Sequence, residues 1–149
     1  FPYTTLFRSY DFVIIVRDNG PGRRVSVNLN SALTDWLAEN LTSEDLILTP
    51  EYSINEVTMA GVMMYMGWPY YAWSAGYDTN SRAAQAVTIY TTSDSETLKS
   101  TVKQEKITYI LFEEGSEFEQ QVCQEKTIAA TYEKVYETQD GRIRIYKTN

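Results

Sequence analysis

Between Gly67 and Asp78 the chain reads Gly67-Trp68-Pro69-Tyr70-Tyr71-Ala72-Trp73-Ser74-Ala75-Gly76-Tyr77-Asp78. This run holds two of the three tryptophans and three of the twelve tyrosines. Flat aromatic faces with polar rims suit a sugar ring or another chain, and Asp78 with Arg82 can orient hydroxyls or a phosphate. Trp68, Tyr71, Trp73, Asp78 and Arg82 are therefore the candidate ligand-binding residues. The same residues also suit a hydrophobic plug, packed onto the domain or onto a membrane portion outside this sequence. Asp78 and Arg82, four apart, suit a plain ion pair that contributes only ~0.5 kcal/mol when exposed.

Glu113 and Glu114 form the second candidate. Paired carboxylates can do acid–base work or bind a metal, but neighbours on a strand point to opposite faces, which favours a solvated charge pair. Cys123 is the one cysteine. It stands among glutamines and glutamates with no base beside it, reads as an inert helical residue, and excludes an intrachain disulfide or a thiolate cluster. The sequence contains no histidine. That removes Ser-His-Asp and Cys-His nucleophile systems, HExxH zinc chemistry and any imidazole acid or base. Asp18-Asn19-Gly20-Pro21-Gly22 lacks both the GxGxxG pattern and a Walker lysine, so no nucleotide loop is indicated. No catalytic residue, metal or cofactor is assigned. The net charge of −7, from 13 basic and 20 acidic residues, argues against nucleic acid or an anionic membrane surface bound through a large basic patch.

The elements that must position these groups follow from apolar spacing. The 149 residues are 43% apolar and 22% charged, the composition of one globular domain. Phe12 to Val16 is a continuous apolar run and reads as a buried strand or the tail of something longer. Turn residues follow at 18–22, and 23–29 alternates weakly. Asn30 or Ser31 can cap a helix whose stripe is Leu33, Trp36, Leu37 and Leu41. A polar turn over 42–45 leads to Leu46-Ile47-Leu48-Thr49, an all-apolar strand of the kind covered on both faces. The stretch 57–77 carries no charge and is long enough for a bilayer, but Gly61, Gly67, Pro69 and Gly76 break it. A short helix near 53–59, a strand over 62–66 and an aromatic loop over 67–77 fit better. Helices over 81–90 and after a cap at Ser93 or Ser95 precede the clearest strand, Ile107 to Phe112. Ser116 is expected to cap a segment through Val122, with 127–131 extending it. Segments 134–137 and 142–146 flank Gln139-Asp140-Gly141, a hairpin signal. Alternating helices and strands predict an α/β fold, a Rossmann-like three-layer sandwich. Its sheet is mostly parallel, with right-handed crossovers and a C-terminal antiparallel hairpin.

Residues 1–9, FPYTTLFRS, match the translation of a common sequencing adapter at every codon. They are read as an artefact fused to an environmental open reading frame, and are kept out of the fold argument. Residues 10–149 are then one α/β domain, expected to be the C-terminal fragment of a longer protein.

From Trp36 onward the order of features resembles a known group. Asp35-Trp36-Leu37-Ala38-Glu39-Asn40-Leu41-Thr42, followed by Asp45-Leu46-Ile47-Leu48-Thr49-Pro50, is similar to the "W-I-x-E-N-T…D-x-h-L-T" passage of large bacterial polytopic membrane proteins. These are the protein O-mannosyltransferase-like glycosyltransferases of the GT-C superfamily. Ala60-Gly61, Gly67-Trp68-Pro69, Trp73-Ser74-Ala75-Gly76-Tyr77-Asp78 and Arg82 resemble their aromatic block. Ile107-Thr108-Tyr109-Ile110 resembles a strand of theirs, and Val135-Tyr136 with Ile145-Tyr146-Lys147 their closing segment. The likeness covers roughly residues 30–149.

It implies a soluble C-terminal domain on the extracytoplasmic side of a bacterial cell membrane. The membrane-embedded part of the same parent chain would be its partner, and a glycan or polyprenyl-phosphate sugar its candidate contact. The family's catalytic acidic residues lie in an early outer loop outside this sequence, so none carries over. Val62 is a departure, standing where many relatives have an arginine after the glycine. A ligand role for that arginine does not transfer. The rival expectation is a free-standing α/β enzyme or small-ligand-binding protein whose acidic loops form the site.

Overall fold

A computed structural model describes residues 13–18, 20, 31–50, 55–67, 69–116 and 123–149. The expectations for 1–9, for 23–29, for Asn30 and for a helix from Ser116 through Val122 lie outside the described residues. The elements are α1 (Ala32–Asn40), β1 (Leu46–Leu48), α2 (Asn55–Met59), β2 (Met63–Met64), α3 (Pro69–Ser74) and α4 (Thr79–Thr91). They continue with α5 (Ser95–Gln104), β3 (Tyr109–Glu113), α6 (Glu125–Thr131), β4 (Glu133–Glu137) and β5 (Ile143–Lys147).

Among the described residues the fold is mixed α/β around one five-stranded sheet of order β2-β1-β3-β5-β4. β1 pairs in parallel with β2 and with β3, whereas β5 pairs antiparallel with both β3 and β4. The sheet is thus parallel at one end and antiparallel at the other. The C-terminal hairpin forms as the Gln139-Asp140-Gly141 signal predicts, and its second strand lies between β3 and β4.

Alternation along the central strands builds two apolar clusters, because successive side chains leave a strand on opposite faces. Leu48, Ile110, Phe112 and Tyr146 meet Ala86, Ile89 and Tyr90 of α4, Leu98 and Val102 of α5, and Ile128 of α6. Ile47, Tyr109, Leu111 and Ile145 meet Leu33 and Leu37 of α1 and Val57 of α2. Each fully buried leucine or isoleucine stabilises the fold by about 1.5–3 kcal/mol relative to an exposed one. Strands covered on both faces explain why β1 reads as continuously apolar.

Helix ends follow side-chain chemistry. The Ser31 hydroxyl accepts from the Thr34 amide at 3.1 Å and caps α1. α5 is capped by Asp94, whose carboxylate accepts from the Thr97 amide at 2.9 Å, rather than by Ser93 or Ser95. A carboxylate adds charge to the same geometry at the positive end of the helix, which gives it the advantage over either hydroxyl.

Two further expectations are corrected. Residues 13–18 are helical, not strand, and Val13, Ile15 and Val16 are exposed rather than buried. A short β-branched run fits either state, and none of these residues is paired into the sheet. The segment 67–77 is not a loop throughout, since Pro69 opens α3 at the position where its missing N–H and fixed φ suit a helix. Among the described residues no helix is long and apolar enough to cross a membrane.

Candidate functional site

α3 follows the edge strand β2 at the carboxyl end of the parallel strands and packs against α4. Its end is closed by two hydrogen bonds, from the Gly76 amide to the Trp73 carbonyl (2.9 Å) and from the Tyr77 amide to the Ala72 carbonyl (3.0 Å). This is a Schellman turn, and Gly76 takes its left-handed position with φ 85° at no Cβ cost. The turn projects aromatic rings outward. Tyr70 is 58% exposed, Trp73 63% and Tyr77 72%, and the rings of Tyr70 and Trp73 lie 6.2 Å apart. Met59 of α2 and Met63 of β2 are also exposed. Trp73 therefore does not plug the core.

The other predicted site residues fare differently. Trp68 and the side chain of Tyr71 lie outside the described residues. Asp78 and Arg82 do not pair with each other. The Asp78 carboxylate accepts from the Ser81 amide (3.0 Å) and hydroxyl (2.7 Å), which caps α4 and holds its pKa below the usual aspartate range. Arg82 reaches back to the sheet, donating from Nη1 to the Tyr65 carbonyl at 2.6 Å and lying 5.1 Å from the Tyr65 ring centroid. Tyr65 in turn donates its hydroxyl to Glu105 at 2.8 Å. Asp78 and Arg82 thus fix the start of α4 and tie it to β2. Trp73 is the residue of the five whose described side chain is offered to solvent with no such structural role.

The two glutamates at the end of β3, Glu113 within it and Glu114 after it, separate as strand alternation requires. Glu114 is exposed, with Arg144 3.7 Å away. Glu113 faces a crevice of about 730 Å³ at the carboxyl end of β3, lined also by Glu56, Tyr136, Glu137, Asp140 and Arg142. Four carboxylates there oppose one guanidinium. Burial raises the Glu113 pKa above its ordinary value; Arg142 counters that rise and Glu56 adds to it. Glu137 and Asp140 are engaged nearby, the first by Lys134 at 2.5 Å and the second by the Thr138 hydroxyl at 2.6 Å. Both carboxyls are held below their ordinary values by those bonds. A half-buried carboxyl with a raised pKa is the most chemically poised group of the crevice. Among the described residues no group of three or more histidine, cysteine, aspartate or glutamate side chains is arranged to hold a metal ion.

Cys123 precedes α6 instead of lying in a helix, and packs partly buried against the core. A groove of about 710 Å³ that no sequence expectation covers lies at the opposite end of the sheet, lined by Lys99, Lys103, Lys106 and Lys147. Lys99 and Lys103 share one face of α5 by their spacing of four, whereas Lys106 lies beyond the helix end. No protein-family model matches the chain, and no curated protein matches it.

Proposed function

We propose that the chain is an extracytoplasmic accessory domain of a polytopic, glycosyltransferase-like membrane protein, and that by itself it is not the catalyst. In this reading the α3 ridge contacts a glycan or lipid-linked sugar, and the membrane-embedded part of the same parent is the partner. The sheet with helices on both faces is read as a Rossmann-like three-layer sandwich. The observation that carries the ligand side of the proposal is the 63% exposure of Trp73 beside Tyr70 and Tyr77 on a turn closed by backbone hydrogen bonds. An aromatic platform of this kind suits the apolar face of a sugar ring, with hydroxyl rims that can hydrogen-bond. The parent side rests on the resemblance of residues 30–149.

Two experiments test the two halves. The intact gene is expected to encode several hydrophobic spans before Tyr10; a start codon there with no spans would sink the accessory-domain reading. An oligosaccharide array probed with the chain and with Trp73→Ala is expected to give binding that the substitution abolishes. Binding by both proteins alike would remove the ridge from the account.

One observation favours a second reading, a free-standing α/β enzyme or small-ligand-binding protein. Glu113, its pKa raised by burial, sits in a crevice at the carboxyl end of a parallel strand, where α/β folds commonly hold ligands. Small-molecule binding abolished by Glu113→Gln and untouched by Trp73→Ala would favour that alternative.

A further inference from the structure

At the amino end of β3, opposite to the α3 ridge, the lysine-lined groove is walled by the end of α5, the residues leading into β3, the start of β4 and the end of β5. We propose that this groove is a binding site for a phosphate-bearing ligand, held by Lys99, Lys103 and Lys106 with Lys147 at its rim.

Three observations converge. The first is charge. Six lysines occur in the whole chain, and four of them line this one groove, against a single acidic side chain, Glu133. A chain of net charge −7 does not gather its lysines so by composition. Lys99 shares its charge with Glu96 at 3.4 Å, and Lys147 lies 5.8 Å from the Tyr109 ring centroid. Lys103 and Lys106 have no ion-pair partner among the described residues. Their ammonium groups are the ones available to an anion.

The second observation is backbone conformation. Three helices end in the same Schellman turn. α2 closes with Gly61 to Thr58 and Val62 to Val57, and α3 with Gly76 to Trp73 and Tyr77 to Ala72. α5 closes with Lys106 to Lys103 and Ile107 to Val102. The left-handed position is glycine in the first two, at φ 74° and φ 85°, and Lys106 at φ 57° in the third. That backbone disfavours a Cβ, so glycine is the default there and lysine is the costlier choice. A lysine placed at a strained position on the groove wall points to a role for its ammonium beyond folding.

The third is shape. The volume of about 710 Å³ suits a small organic phosphate. The threonine hydroxyls of the same wall are committed to the fold, Thr108 to Leu46 and Thr148 to the Ile107 carbonyl at 2.6 Å, which leaves the lysines as the donors for an anion. The helix dipole explains a cation near the end of α5, where Lys103 stands in the last turn. It does not explain Lys147, which arrives from β5.

The full chain is titrated with inorganic pyrophosphate while amide resonances are followed by NMR. In a second arm it is sedimented with phosphatidylcholine vesicles containing phosphatidic acid. Saturable shifts confined to residues around 99–108 and 147–148 are expected, weakening as salt is raised. The double variant Lys103→Gln, Lys106→Gly is expected to lose at least about tenfold in affinity, the scale of lost charge-assisted hydrogen bonds. Its thermal midpoint should not fall, since glycine suits φ 57°. A pyrophosphate response without sedimentation identifies a soluble phosphate ester as the ligand class. Lysine-dependent sedimentation without a pyrophosphate response identifies a lipid headgroup. The proposal is overturned if neither probe binds, if shifts spread equally to Lys126 and Lys134, or if the double variant binds as the unsubstituted chain does.

Discussion

Two sets of aromatic residues in this molecule differ in burial and in what their side chains bond. In the core, Tyr90 is fully buried and donates its hydroxyl to the Leu111 carbonyl at 2.5 Å, joining α4 to β3. Tyr65 and Tyr146 are likewise buried and donate to Glu105 and Glu125, each at 2.8 Å. Tyr70 and Trp73 of α3 and Tyr77 of the turn that closes it stand in solvent, with the closing backbone bonds made. The first set shows what an aromatic contributes when it serves the fold, with its ring buried and its hydroxyl paired. The second set contributes little burial, so its positions make physical sense chiefly as contact surface.

The contrast breaks most directly at Tyr90. Tyr90→Ala is expected to cost about 3–5 kcal/mol in chemical denaturation, as truncations of buried aromatic residues do. Tyr90→Phe keeps the ring and removes the donor to Leu111, for a loss of about 1 kcal/mol. A Tyr90→Ala cost no greater than that of a surface substitution would erase the distinction between the two sets.

Next in size are effects of pH. Bonds from the Thr97 hydroxyl and amide lower the Asp94 pKa, and bonds from Ser81 lower that of Asp78. A depressed folded-state pKa gives stability that is present above the ordinary value of 3.8 and lost as pH falls through the folded value. The starts of α4 and α5 should therefore loosen first on acidification, read as early amide exchange at 79–82 and 95–98. Asp94→Ala should lower stability at neutral pH and do so less in acid. Glu113 has the opposite sign. Burial raises its pKa, so its ionisation costs stability as pH rises above the ordinary glutamate value of 4.5. Glu113→Gln is expected to stabilise the chain at neutral pH, with the gain vanishing in acid. A Glu113→Gln effect independent of pH would remove Glu113 as the poised group of the crevice.

The β1 region is legible because Leu46 to Leu48 is held between a polar turn and Pro50, which leaves no length for a helix. The C-terminal hairpin was legible from its Gln139-Asp140-Gly141 turn. Its insertion beside β3 was not, because pairing between 109–113 and 143–147 is a long-range choice that no local signal encodes. The segment 13–18 misled because a short β-branched run carries no period. The lysine groove escaped notice for a related reason: Lys147 joins the others only through the sheet register, and a net charge of −7 hides a local reversal of sign. Trp73 was legible as a candidate, Asp78 and Arg82 as polar neighbours. Their division of labour was not, since residues four apart on a helix pair as readily as they part.

The smallest expected effect on folding carries the most weight. Trp73→Ala should change stability by no more than about 0.5 kcal/mol, the range of surface substitutions. The decisive measurement follows the heat of titration of the chain and of Trp73→Ala with the oligosaccharides that bind on the array, with unfolding curves recorded on the same proteins. Saturable binding that Trp73→Ala abolishes while its unfolding midpoint holds is expected. A Trp73→Ala protein that unfolds several kcal/mol more easily, or that binds saccharide as tightly as the unsubstituted chain, would rule out the α3 ridge as a contact surface.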